Sequence, residues 1–254
     1  MARVAGFPGE TYEALKRIKD TVLVTFDSLF DGAERRIWTL QNLERFHQLF
    51  VDRFDDGEGT FLEKYRAQLQ AGGDDALQLA AELLYVQQFF TSLTGAEKKL
   101  ENVQAVLSWC DRKIAIPEWA VVGIERGHAG DQSFNQHRPF HLAWLSHFLL
   151  AWHQLPSATR GALVADPWTF CEFTQGIESK QGAHQPMREA WKFLMFPDTF
   201  ESISSRKDKK LIRAAFASLL IGVNYFCRLA TTILAGPTGG SRGVDLGGVV
   251  VVAG

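Results

Sequence analysis

A chain of 254 residues with 46% hydrophobic and 12% aromatic side chains, among them 19 Phe and 7 Trp, can bury a sizeable core, which excludes a largely disordered protein. A formal net charge of −2 excludes a positive field over the whole surface, so any contact with phosphate has to come from a local patch. Three cysteines, Cys110, Cys171 and Cys227, odd in number, far apart and beside apolar residues, fit neither a disulfide framework nor a zinc site and point to a reducing cytoplasm.

The N-terminus, MARVAGFPGETYEALKRIKD, lacks the apolar run and small-residue cleavage site of a secretory signal, and residues 1–34 read as an extension ahead of the main module. Downstream, Ile37, Leu40, Leu43, Phe46 and Phe50 recur at helical spacing, as do Leu79, Leu83, Val86 and Phe90 after an N-cap expected at Asp74. The same spacing predicts helices over 61–70, 97–110, 140–154, 167–175, 187–195 and 205–216, broken at Gly57, Gly59, Gly72, Gly73, Gly95, Pro117, Pro156 and Pro197. WAVVGI, residues 119–124, is the one candidate for a short β element. No fixed-period repeat is present, so the expected fold is mainly α, an irregular compact helical domain rather than a solenoid. From residue 214 an apolar run, AAFASLLIGVNYFCRLATTILA, leads into the Gly- and Val-rich GPTGGSRGVDLGGVVVVAG, so 214–254 forms an atypical tail.

Four histidines, His137, His141, His147 and His153, lie in HRPFHLAWLSHFLLAWHQL. Pro139 suits the first turn of a helix and places His137 outside it, and no HExxH motif or nearby carboxylate completes a ligand set. His141, Leu145, Phe148 and Trp152 share a helical face, which reads as core packing. Cys110 or Cys171 with a distant histidine is not a nucleophile–base geometry. Asp55, Asp56 and Glu58 in RFDDGEGTF lack the alternating ligands of a calcium loop and read as a solvated turn. GPTGGSRG, residues 236–243, has neither the lysine nor the hydroxyl of a phosphate loop. No catalytic residue, cofactor site or metal site is assigned, and no small-molecule substrate is expected.

MFPDTFESISSRKDKKLI, residues 195–212, joins an apolar turn around Phe196, Pro197 and Asp198 to a cationic helix. Trp168, Trp191, Phe196 and Phe200 are the expected core anchors. Ser204 or Ser205 is the expected cap, with Leu211 and Ile212 facing inward. Arg206, Lys207, Lys209, Lys210 and Arg213 are the candidate contacts to phosphate or DNA. Cations at a helix start oppose the macrodipole, so their presence reflects either a solvated face or a use for them. If the turn fixes the helix to the core, they are presented from a rigid base.

The succession LQLAAELLYVQQFF, VLSWCDRKIAIPEW, VVGIERGHAGDQSFN, ADPWTFCEF and REAWKFLMFPDTFESISSRKDKKLI resembles the region upstream of the motor in proteins with a McrB-like AAA+ NTPase domain. The likeness spans about residues 35–213, and its most distinctive pieces are Asp166-Pro167-Trp168 and Phe196-Pro197-Asp198 followed by Phe200-Glu201 and the basic helix. The resemblance implies a module of a modified-cytosine-dependent restriction or defence system, in which a nucleotide-driven ring works with a nuclease subunit. It implies DNA, the AAA+ motor or the nuclease subunit as partners, and no chemistry by this segment itself. In such relatives a motor with its phosphate loop follows; here the departure begins near residue 214, and both a truncated or frameshifted relative and a stand-alone module fit. The expectation is a cytoplasmic, non-catalytic recognition or regulatory module over 35–213. In the alternative reading the apolar run 214–235, behind a basic segment, anchors a helical protein to a membrane, although Asn224 and Arg228 interrupt it.

Overall fold

The computed structural model describes residues 8–55, 57–125, 127, 132–179 and 185–216. Its elements are α1 (Gly9–Asp20), α2 (Leu40–Phe46), α3 (Phe61–Leu69), α4 (Asp74–Phe89), α5 (Ala96–Leu107), α6 (Glu118–Gly123), α7 (Gln132–Gln136), α8 (Arg138–Gln154), α9 (Ser157–Ala165), α10 (Pro167–Gly176), α11 (Gln185–Met195) and α12 (Arg206–Phe216). Single π-helical turns, Thr21–Thr25 and His47–Val51, extend α1 and α2. Among the described residues there is no strand, in keeping with the mainly α expectation.

Local chemistry sets many of the boundaries. Thr60 and Glu63 close a capping box at the start of α3, Thr39 caps α2 by accepting from the Asn42 amide, and the Asp166 carboxylate accepts from the amides of Trp168 and Thr169 just ahead of α10. Asp74, expected to cap α4, is instead its first helical residue. Gly73, at φ 75°, occupies the cap, a left-handed conformation that glycine adopts without steric cost. This frees the Asp74 carboxylate to accept from the amides of Asp111 and Arg112 at 2.8 and 3.0 Å, tying α4 to the loop after α5.

The expected β element at 119–124 is helical. Pro117 caps α6, and Ala120 and Gly123, three residues apart, are its buried positions. A Cβ on Gly123 would lie 2.4 Å from the Ala14 Cβ, so α6 lies directly on α1 while Val121 and Val122 remain exposed. Packing of the small-residue stripe overrides the β-propensity of the valines.

Two helices carry the core. Every residue of α4 from Ala76 to Phe89 is buried, as a helix enclosed by neighbours requires; α2, α5 and α8 pack against it. On α8, His141, Leu145, Phe148 and Trp152 form the expected inward face, all fully buried. The polar side chains inside α4 are bonded. The Glu82 carboxylate accepts from Ser28 Oγ, the Leu29 amide, Trp38 Nε1 and Gln78 Nε2 at 2.6–3.1 Å, pinning the 26–38 segment to the helix. Burial pushes Glu82 up to about 7, against the pull of those four donors.

Residues up to Ser204 form one compact unit and those from Ser205 a second. The stretch read as an N-terminal extension contributes α1 to the first unit, where Ala14, Leu15 and Ile18 are buried and the helix packs on α6 and α11. Among the described residues, no helix is long and apolar enough to cross a membrane. The Gly/Val tail and the apolar run 214–235 from residue 217 onward lie outside the described residues.

Candidate nucleic-acid interface

The anchor half of the 195–212 stretch is built by a helix end that folds onto aromatic rings. The Phe196 amide closes α11 on the Lys192 carbonyl at 2.9 Å, and the amides of Thr199 and Phe200 both return to the Phe196 carbonyl at 3.0 Å. Phe196 packs against Phe170 at 5.0 Å and Phe200 at 6.3 Å, while Trp168 meets Phe200 edge-on at 5.4 Å. Trp191, Phe196 and Phe200 are buried as expected and Trp168 is half-buried. The Lys19 ammonium sits 3.5 Å above Phe196 and donates to the Val164 carbonyl; burial pulls its amine below the ordinary lysine value. This turn therefore belongs to the core of the first unit.

The cationic half is α12. Of the two serines, Ser205 caps it: its Oγ accepts from the Asp208 amide at 3.2 Å and its carbonyl from the Lys209 amide at 3.1 Å. Ser204 is buried in the first unit. Lys207 and Lys210 are exposed and Lys209 is half-buried, while the side chains of Arg206 and Arg213 lie outside the described residues. Leu211 and Ile212, expected to face inward, are 59% and 45% exposed. The chain divides between Ser204 and Ser205, and α12 is the one described element of the second unit, so these two side chains have no described core to enter. For the same reason the turn and the cationic helix belong to different units, and the expected rigid base is not established by the turn.

In the first unit several charges form one network. Arg112 pairs with Asp31, Asp74 and Asp75 at 3.2–3.5 Å and donates to Gln78, and Arg35 joins Asp75 at 3.0 Å. Arg35, Asp74, Asp75 and Arg112 line part of an open groove of about 740 Å³ between α2 and the start of α4. No local motif announces this network, because Asp31, Asp75 and Gln78 lie 81, 37 and 34 residues from Arg112 along the chain. The Asp55 carboxylate accepts from the Gly57 amide at 2.8 Å, and Asp56 lies outside the described residues. Burial, with the charge of Asp74 second, pushes the Cys110 thiol up to about 11, away from nucleophile chemistry. His47 bonds Ser146 Oγ at 2.9 Å and meets His147 edge-on; burial, then His147, lowers its pKa. Among the described residues no three His, Cys, Asp or Glu side chains converge to hold a metal ion.

Comparison with protein families, curated proteins and solved structures finds no match to this chain.

Proposed function

We propose that this protein is a non-catalytic recognition or regulatory module of the McrB-like restriction and defence ATPase type, and that α12 is its contact to DNA. The observation that carries the contact is the exposure of Lys207 and Lys210 on a helix firmly started by Ser205. Three residues apart, they lie on one side of the helix, and neither has a carboxylate partner among the described residues. In a chain of net charge −2 they form a local cationic surface of the kind that attracts a phosphate backbone without reading sequence. The AAA+ motor or a nuclease subunit remains the protein partner in this reading, and the order of motifs over 35–213 supports it.

Titration of a duplex oligonucleotide into the full-length chain tests the contact. Parent protein should bind at low salt, and the Lys207→Glu/Lys210→Glu variant should bind far more weakly. Glutamates in the first turns suit the helix dipole, so the variant helix should persist. Equal affinity of the two proteins would remove α12 from the account.

A further inference from the structure

Arg138, the first residue of α8, holds its guanidinium among aromatic side chains. The charge lies 5.0 Å over Phe61. Phe61 stacks on Tyr65 at 4.8 Å, Tyr65 meets Phe50 at 5.1 Å, Phe50 meets Phe54 at 6.3 Å, and Phe54 meets Phe140 at 5.2 Å. Among the described residues Arg138 has no carboxylate partner, and its buried Nε has no hydrogen-bond acceptor; the buried Nδ1 of neighbouring His137 is also unpaired. Burial pulls the guanidinium below its ordinary value, with Tyr65 opposing. Arg112 is the contrast within the same unit, held by three carboxylates. A cation–π contact offsets only part of what a guanidinium loses on leaving water, so Arg138 is electrostatically incomplete.

We propose that Arg138 is the anion-binding residue of a site for a phosphate monoester that carries a planar ring, with His137 as second donor and Phe54, Phe61 and Phe140 as the surface for the ring. The guanidinium fork matches phosphate oxygens. The start of the 17-residue α8 adds potential of the same sign. Phe54, Phe61 and Phe140 are each half-buried, so ring edges or faces remain available, and aromatic faces accept planar groups with little regard to identity. Every residue of this site lies in the first unit, so it stands independently of the α12 reading.

Isothermal titration of the full-length protein with inorganic phosphate, phenyl phosphate and thymidine monophosphate tests the site. Both ring-bearing phosphates should bind, and inorganic phosphate about tenfold more weakly or less. Arg138→Met should lower affinity by about 10- to 100-fold while the melting temperature holds or rises, because an unpaired charge has been removed. Phe140→Leu should weaken the ring-bearing ligands and leave inorganic phosphate unchanged. Tighter binding of thymidine monophosphate than of phenyl phosphate would identify nucleotides as the source, and the reverse order a simple aryl phosphate. Absence of binding by all three ligands, unchanged affinity in Arg138→Met, or a lower melting temperature or failure to fold in that variant would overturn the proposal, the last two by making the guanidinium a structural partner of Phe61.

Discussion

Replacing Lys99 by Met should stabilise the protein at neutral pH. Lys99 lies on α5 with its side chain fully buried, and its Nζ makes a single long hydrogen bond, 3.4 Å, to the Ile124 carbonyl. Burial lowers the amine from 10.5 to about 8. A lowered folded value means that between about pH 8 and 10.5 the folded chain binds fewer protons than the unfolded one, so stability rises with pH through that window. Below about pH 8 the whole penalty is present. At about 1.4 kcal/mol per pH unit it amounts to about 3 kcal/mol. Met keeps the volume of the side chain and forfeits only the long hydrogen bond. Urea unfolding of both proteins at pH 7 and pH 10 reads the effect. Cys110, pushed up to about 11, titrates in both, so the difference between them isolates Lys99. The variant should lead by about 2–3 kcal/mol at pH 7 and draw nearly level at pH 10. Equal stability at pH 7, or a gap that does not close with rising pH, would refute the reasoning.

Three further outcomes follow from packing. Trp191→Ala should cost about 3–5 kcal/mol in thermal unfolding, since the ring is fully buried and 5.5 Å from Phe148; Trp191→Phe should cost far less, because the indole N–H makes no hydrogen bond. Glu82→Ala should cost about 3 kcal/mol or more in denaturant melts, leaving the Leu29 amide and Trp38 Nε1 buried without their acceptor. Gly123→Ala should cost about 1–3 kcal/mol, because the new methyl meets Ala14 at 2.4 Å unless α1 and α6 separate.

Much of the fold was legible because helical period and burial are two aspects of one pattern. The face of His141, Leu145, Phe148 and Trp152 could be read from spacing alone, and Gly73, Pro117 and Pro156 punctuate the helices locally. What escaped depended on distant partners. The valines of α6 suggested a strand until Ala14 was seen beneath Gly123. Asp74 looked like a cap because its real partners, the amides of Asp111 and Arg112, lie 37 and 38 residues away. Within the candidate sites, the charge of Lys207 and Lys210 and a serine cap at Ser204 or Ser205 were readable, whereas the exposure of Leu211 and Ile212 was not, since hydrophobicity alone does not supply a core to enter. The aromatic setting of Arg138 draws on the segments around Phe50, Phe61 and Phe140, and no local motif announces it.

The central claim, that α12 contacts a nucleic-acid backbone, is tested most directly by the salt dependence of duplex binding. Log affinity of the parent should fall linearly with log salt, and Lys207→Glu/Lys210→Glu should flatten that slope by about 2, roughly one phosphate contact per lysine, with an unchanged melting temperature. No binding by the parent at low salt, or the same slope in both proteins, would contradict it.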